Sequence, residues 1–218
     1  RMSVHAVRLQ VREAERAVGE FDFLFNDRFR DIDYHWEAAV KFFLCFHHPD
    51  GRVEWLGPNP RDTLQSKLDK VFTRQLLLAR HPAAAPLLSR LGIGPLSSRA
   101  FIKGYLFYPA NGDWCRPETV PADSSPRHLK GWWCHAAEAE HLPYRCEGER
   151  WYSLPRHQWL SPVRSREAMP GMSREALFAF LGQHFEGSEK PLLLAGLWRD
   201  ESGLWREGGR GFVGADHW

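Results

Sequence analysis

A run of apolar and aromatic residues from position 34 to 46 constrains the fold more than any other part of this sequence. Only two charged residues, Glu37 and Lys41, interrupt the run. A segment this apolar has to be buried, and its aromatic content favours a central strand. A helix remains open as the alternative, because Glu37 and Lys41 are four residues apart and would form a favourable ion pair on a helix.

Two further strands are predicted upstream of this run. Apolar and polar residues alternate over residues 3–11, as in a strand with one buried face. Residues 18–25 alternate in the same way. The predicted core face of this second strand carries three phenylalanines, Phe21, Phe23 and Phe25. Asp22 therefore belongs to the opposite face.

The rest of the chain predicts helices that alternate with strands. A helix begins near Asp62 and ends at Pro82, and another covers residues 173–185. Further strands are predicted at residues 101–108, 191–198 and 204–213. This order of elements indicates an α/β fold.

A proline-rich loop over residues 109–126 divides the predicted elements into two groups. A chain of 218 residues suits one domain with an elaboration. We therefore predict an α/β core over residues 1–110 and an embellishing α+β region over residues 111–218.

Net charge limits how the protein could bind nucleic acid. The formal charge is only +2, so bulk positive charge does not drive binding, and any nucleic-acid site must be local. The stretch from Arg61 to Arg80 is a local candidate, because it holds five basic residues against two acidic ones. A solvated helix face explains this stretch equally well.

Cysteine spacing and hydropathy indicate the compartment. The four cysteines lie far apart with no Cys-x-x-Cys pair, which favours free thiols under reducing conditions. The sequence has neither a run of about eighteen apolar residues nor a signal-peptide pattern. We therefore expect a soluble cytoplasmic protein without a membrane span. A loose group of Cys and His over residues 115–146 matches no common zinc spacing, so packing is its expected role.

Three charged residues of the predicted strands carry the candidate chemistry. If residues 34–46 form a strand, Glu37 and Lys41 point to the same face, and Asp22 comes from a neighbouring strand. Two converging carboxylates can hold Mg²⁺ or Mn²⁺, with water completing the coordination shell. The metal lowers the pKa of a bound water, and a lysine orients that water or stabilises the transition state. This combination suits phosphodiester hydrolysis, whereas a plain ion pair between Glu37 and Lys41 is the structural alternative.

Several motifs in sequence order resemble one bacterial family. They are Gly19-Glu20-Phe21-Asp22-Phe23-Leu24, the stretch from His35 to Phe42, Gly57-Pro58-Asn59, Asp62 with Lys67, Gly104 to Pro109, and His128 to Trp133. These motifs resemble the family called domain of unknown function 1853, and the resemblance covers nearly the whole chain. That family in turn resembles the PD-(D/E)XK nucleases, whose core has a helix, three antiparallel strands, a helix and a further strand.

The resemblance implies a restriction-endonuclease-like core, a mixed sheet flanked by helices, over residues 1–110. The first core helix of such a fold would precede residue 3. Asp22 would match the acid of the second core strand, Glu37 the acid of the third, and Lys41 the lysine. The two acids would bind Mg²⁺ or Mn²⁺ as the cofactor.

The helix after these strands is implied to contact nucleic acid. Gln75 is similar to the glutamine found on this helix in exonuclease-like members, where it would touch the DNA or the active site. Lys67, Lys70 and Arg74 would contact phosphates of the DNA. Glu20 would be an additional acid beside Asp22.

One departure from the superfamily pattern concerns the lysine. The usual spacing places it two residues after the acid, where this sequence has Ala39. Lys41 lies on the same strand face but ~7 Å further along. The resemblance implies a Mg²⁺-dependent deoxyribonuclease. The alternatives are a nuclease-derived DNA-binding module without turnover and a protein-interaction domain that needs no metal.

Overall fold

The central apolar run is a strand. A computed structural model describes residues 1–142, 150–167 and 171–217. In it, β3 (Ile32–His47) extends over the whole run and beyond both of its ends. The strand prediction is therefore confirmed, and the helical alternative is wrong. As a consequence, residues 35, 37, 39 and 41 follow the two-residue alternation of a strand rather than the turns of a helix.

The described strands form one ten-stranded mixed sheet. The other nine are β1 (Met2–Glu13), β2 (Arg16–Asp27), β4 (Val53–Leu56), β5 (Leu96–Pro109), β6 (Leu129–His135), β7 (Arg150–Ser153), β8 (Arg164–Ser165), β9 (Leu192–Arg199) and β10 (Trp205–Gly214). Their order is β1-β2-β3-β5-β6-β10-β9-β7, with β4 beside β3 and β8 beside β10. The sheet is mixed because β6 runs parallel to both β5 and β10, whereas β2 is antiparallel to β1 and β3.

Helices are few and short beside this sheet. They are α1 (Leu64–Lys70), α2 (Ala85–Arg90) and α3 (Arg174–Gly187). Short 3-10 helices occur at Leu78–Arg80, Pro82–Ala84, Ala136–His141 and Arg156–Gln158, and a π turn occurs at Val71–Gln75. The fold is therefore mixed α/β, as the order of elements in the sequence predicts. None of the described helices is long and apolar enough to cross a membrane.

Contacts along the chain divide it into two compact units. The first comprises Arg1–Lys41 and Thr63–Lys103, and the second comprises Phe42–Asp62 and Gly104–Trp218. Both units take residues from β3 and β5. The predicted boundary near residue 110 separates a nuclease-like core from an embellishing region. It rests on the resemblance to nucleases and not on contacts within the chain, so it stays a prediction.

The core of the first unit shows where strand alternation changes. Its buried members are Val11, Phe21, Leu24, Leu78, Ala84, Leu88 and Ile93. Phe21 and Leu24 are three residues apart on β2, and Phe23 between them is 40% exposed. The prediction that Phe21, Phe23 and Phe25 share one core face is therefore wrong. Regular alternation fails between Phe21 and Leu24.

The neighbouring strand β1 is irregular in the same region. Val7 pairs with Phe23 and Leu9 pairs with Phe21, so Arg8 faces Asp22 in the ladder. Arg8 has a φ of 53°, which takes a strand residue out of the extended region. The register of the pairing also shifts between Val4 and Ala6, whose partners are Phe25 and Leu24.

The predicted helix from Asp62 to Pro82 is interrupted. The α-helical part α1 ends at Lys70, and the π turn follows, with the N–H of Leu76 donating to the carbonyl of Val71 at 2.9 Å. Leu78 then enters the core of the first unit. The sequence periodicity located this helical segment correctly but did not reveal the π turn, which is a feature often found at functional sites.

The second unit has two apolar clusters. One is built around Phe107, Leu193, Leu197 and Phe212, and the other around Trp132, Trp151, Leu177, Leu181 and Val213. Gly211 is required here, because a Cβ at this position would lie 2.0 Å from the Trp132 ring. Three described cysteines are free thiols, and burial raises the pKa of Cys45 to about 11.

A buried ion pair holds part of the second unit together. The guanidinium of Arg210 is 1% exposed and donates to both carboxylate oxygens of Glu207, at 2.6 and 2.7 Å. It also donates to the carbonyl oxygens of Trp159 and Ser161. The Arg210 charge is thus fully engaged, which is the condition for burying it.

Replacement of Glu207 by glutamine should be strongly destabilising, because it leaves the Arg210 charge buried without a counter-charge. We expect the free energy of unfolding in urea to fall by about 3–5 kcal/mol. The exposed Glu201→Gln variant is the matched control and should stay within about 0.5 kcal/mol of the wild type. A loss below about 1 kcal/mol for Glu207→Gln would show that solvent reaches Arg210.

Candidate functional site

The strands β2 and β3 part at Asp22. Their paired residues run from Asp27 opposite Ile32 to Phe23 opposite Trp36. At the next position the backbone N–H of Ala38 donates instead to Oδ2 of Asp22, at 2.9 Å. The carboxylate therefore takes the place of a strand carbonyl as hydrogen-bond acceptor. This contact fixes Asp22 beside the segment of β3 that carries Glu37.

Glu37 is the buried acid of this site. Its residue is 3% exposed, and the amide Nε2 of Gln75 donates to its Oε1. No described residue forms a hydrogen bond with its other oxygen, Oε2. A buried carboxylate oxygen without a donor costs several kcal/mol, so such a group is retained only where it has a use or a partner.

His35 lies next to the free oxygen of Glu37. Its Nε2 is 3.8 Å from Oε2, which is too far for a hydrogen bond, and Nε2 likewise lacks a hydrogen-bond partner within the described ranges. On its other side Nδ1 is 3.4 Å from the Ser98 hydroxyl, and the ring packs edge-on against Phe21. The sequence interpretation missed His35, although its position two residues before Glu37 on one strand face was a signal.

Gln75 connects Glu37 to a lysine. The Nζ of Lys67 donates to Oε1 of Gln75 at 3.3 Å, while Nε2 of the same amide donates to Glu37. An ammonium can only donate and a carboxylate can only accept, so both neighbours require the same orientation of the amide. Gln75 is therefore fixed at both ends.

Local structure explains how both side chains arrive at the site. Thr63 caps α1, since its hydroxyl accepts from the Ser66 N–H at 3.1 Å, and this cap fixes where the helix begins. Lys67 lies within α1, whereas Gln75 is the last residue of the π turn. The additional residue in that turn displaces Gln75 around the helix axis from its α-helical position.

The electrostatic surroundings of Lys67 show which charges lie close together. Burial lowers the pKa of Lys67, the Glu37 carboxylate opposes this effect, and the Lys41 ammonium adds to it. Asp22 also raises this pKa. Four charged groups therefore lie close enough to act on one another electrostatically. They are the two predicted metal-binding acids, Asp22 and Glu37, the predicted catalytic lysine, Lys41, and the predicted phosphate contact, Lys67.

The remaining predicted residues lie around this group. Lys41 is half-buried on β3, and Lys70 and Arg74 are exposed on the helical segment. Glu20 is directed to Arg8, whose Nε lies 3.4 Å from its carboxylate. The structure thus links Glu37, Gln75 and Lys67 by hydrogen bonds, and Asp22 and Lys41 lie close enough to act on Lys67. The roles predicted for all these residues stay predictions.

Comparison with known proteins identifies the family. A model described as Domain of unknown function (DUF1853) matches residues 1–213. The chain belongs to this family. Comparison with curated proteins and with solved structures gave no significant match. The prediction of the family from the sequence motifs is therefore confirmed.

Donor chemistry limits where the DUF1853 chain could hold a metal. Within residues 1–142, 150–167 and 171–217, His, Cys, Asp and Glu do not form a group of three or more that could bind an ion. Cys146, which belongs to the loose Cys and His group, lies outside the described residues. The Asp22 and Glu37 pair could supply two oxygen donors, and Mg²⁺ commonly takes its other ligands from water and substrate phosphates.

Glu37→Gln should raise the stability of the protein in the absence of metal. The glutamine can still accept from Gln75, and its new amide N–H₂ can donate towards Nε2 of His35. We expect the free energy of unfolding in urea to rise by about 1 kcal/mol, because a buried charge is removed and the unpartnered Nε2 of His35 gains a partner.

Glu13→Gln, at an exposed position of β1, is the control for this experiment and should leave stability within about 0.5 kcal/mol. A loss of several kcal/mol for Glu37→Gln would instead identify Glu37 as a structural ion-pair partner.

Proposed function

We propose that this protein is a Mg²⁺-dependent nuclease that hydrolyses phosphodiester bonds of DNA. The observation that carries the proposal is Oε2 of Glu37, a buried carboxylate oxygen without a hydrogen-bond donor in the described chain, held in place by Gln75. Functional sites retain such costly groups because catalysis uses them. As a DNA-processing enzyme the protein would act in the cytoplasm.

The arrangement of elements supports a relation to the PD-(D/E)XK nucleases. Asp22 lies on a strand antiparallel to β3, Glu37 lies on β3, and Gln75 comes from the helical segment that follows. This is the chain order that the restriction-endonuclease-like pattern requires. The contact between Gln75 and Glu37 adds support, because it joins this helical segment directly to the acid of β3.

Asp22 and Glu37 would hold the metal. Both supply hard oxygen donors, which suit Mg²⁺ and Mn²⁺. Gln75 occupies Oε1 of Glu37, and this leaves Oε2 as the oxygen for the ion. When bound, the ion would lower the pKa of a coordinated water and neutralise charge on the phosphate.

The residues of the chain would orient the substrate. The DNA phosphates would be contacted by Lys67, Lys70 and Arg74. Lys41 would approach the attacking water from β3. In the reaction the water oxygen forms a new bond to phosphorus, and the bond from phosphorus to the leaving sugar oxygen breaks with its electron pair. One proton of the water ends on the leaving oxygen, and the other stays with the new phosphate monoester or passes to solvent.

A second candidate function follows from Ala39. The position that carries lysine in the usual superfamily pattern has no charge here. A nuclease-derived module that binds DNA or a protein without turnover would tolerate this loss. Lys67, Lys70 and Arg74 would serve such a module equally, because phosphate contacts need only positive charge.

Cleavage assays distinguish the two functions. We expect the purified protein to cut single- or double-stranded DNA with Mg²⁺ or Mn²⁺ and to lose activity in EDTA. Asp22→Asn and Glu37→Gln should each lower the rate at least a hundredfold, because each removes charge that the ion requires. Glu13→Gln is the matched control and should cut like the wild type. DNA binding without any cleavage would favour the inactive module.

Metal binding gives a test that does not depend on turnover. We expect Mn²⁺ at about 100 times its Kd to stabilise the folded protein by about 2.7 kcal/mol, measured as a rise in Tm. The rise should disappear in Asp22→Asn and persist in Glu13→Gln. An equal rise in Asp22→Asn and the wild type would show that the ion binds elsewhere.

A further inference from the structure

The structure carries a second lysine close to the proposed metal site, on a different element from β3. Lys67 belongs to α1 and is half-buried, in contrast to Lys70 on the same helix, which is exposed. Its Nζ donates to Oε1 of Gln75 at 3.3 Å, and Gln75 donates to Glu37. One amide group therefore separates this ammonium from the buried acid.

From these contacts we infer that Lys67, rather than Lys41, is the catalytic lysine that contacts the reacting phosphate. This inference rests on the proposed nuclease activity and deepens it. It also accounts for Ala39, because a lysine that reaches the site from α1 makes a second cation at position 39 of β3 unnecessary.

Geometry favours Lys67 for this role. An ammonium has three N–H donors, and the contact with Gln75 uses one of them. The Gln75 contact holds the end of a long side chain that would otherwise lose rotamer freedom when it bound a phosphate. Lys67 is thus oriented before the substrate arrives.

Electrostatics support the same assignment. Asp22 and Glu37 both act on Lys67, which places its ammonium within the field of the two proposed metal ligands. A cation that is partly removed from water stabilises developing negative charge more strongly than an exposed one. Lys70 and Arg74, which are exposed, suit the sequence-independent binding of flanking phosphates instead.

The experiment compares the cleavage rate at saturating DNA with the affinity for DNA. Affinity is measured by fluorescence anisotropy of a labelled duplex with Ca²⁺ in place of Mg²⁺. We expect Lys67→Met, which keeps most of the side-chain volume but not the charge, to lower the rate about a hundredfold or more. Its affinity should change less than about tenfold. Lys41→Met should lower the rate by less than about tenfold.

Two further variants separate a catalytic role from a structural one. Lys67→Arg keeps the charge and should recover part of the rate that Lys67→Met loses. The shorter Lys67→Ala should be rescued in part by added ethylammonium, which a purely structural loss would not be. Lys190→Ala, at an exposed position near the end of α3, is the control and should match the wild type in rate and affinity.

The outcomes distinguish a failure of the inference from a failure of the proposed function. If the wild type cuts DNA and Lys67→Met cuts within about threefold of it, the inference is wrong and the nuclease function stands. Equal losses of rate and affinity in Lys67→Met, without rescue by ethylammonium, would also overturn the inference. If the wild type cuts no DNA with either Mg²⁺ or Mn²⁺, the proposed function and the inference both fail.

Discussion

The candidate site depends on one hydrogen bond, from the N–H of Ala38 to the carboxylate of Asp22. Neighbouring antiparallel strands normally continue their ladder of N–H and carbonyl contacts, and a strand that parts from its neighbour exposes groups that need partners. Here a side chain supplies the acceptor at the point of separation. The Asp22 carboxylate, which lies where the pairing of β2 with β3 ends, is therefore held in a fixed position in the site. The Asp22 carboxylate therefore contributes both to the stability of the strands and to the proposed chemistry, and its loss would affect both.

Glu37 shows how the fold maintains a group that is unfavourable by itself. A glutamate that is 3% exposed could persist through a complete set of donors, yet only Oε1 has one among the described residues. Gln75 limits the rotation of the carboxylate, and Lys67 limits the rotation of Gln75. The three side chains form a chain of contacts in which positive charge lies at one end and negative charge at the other. Such an arrangement orients the unpartnered oxygen without neutralising it.

The sequence predicted the elements better than it predicted their details. Strands over residues 3–11, 18–25, 191–198 and 204–213 all match observed strands, because alternation and turn residues are local properties. Three features escaped it. Phe23 lies where the pairing of β1 with β2 is irregular, His35 packs against Phe21 near Ser98, and Leu78 packs into the core after the π turn. Each of these is a contact between segments distant in sequence, which periodicity along one segment does not encode.

Because of the π turn, the geometry of the site depends on the number of residues in this segment as well as on their identity. A π turn holds one residue more than the α-helical turn it replaces, so everything after it is out of phase with α1 by about 100°. Removal of any one residue between Val71 and Gln75 would let ordinary α-helical bonding resume. The amide of Gln75 would then rotate away from Glu37 while every side chain of the site was still encoded. Deletions in this π turn should therefore be poorly tolerated, even at positions where substitutions are well tolerated. Phe72, which is 53% exposed, is such a position.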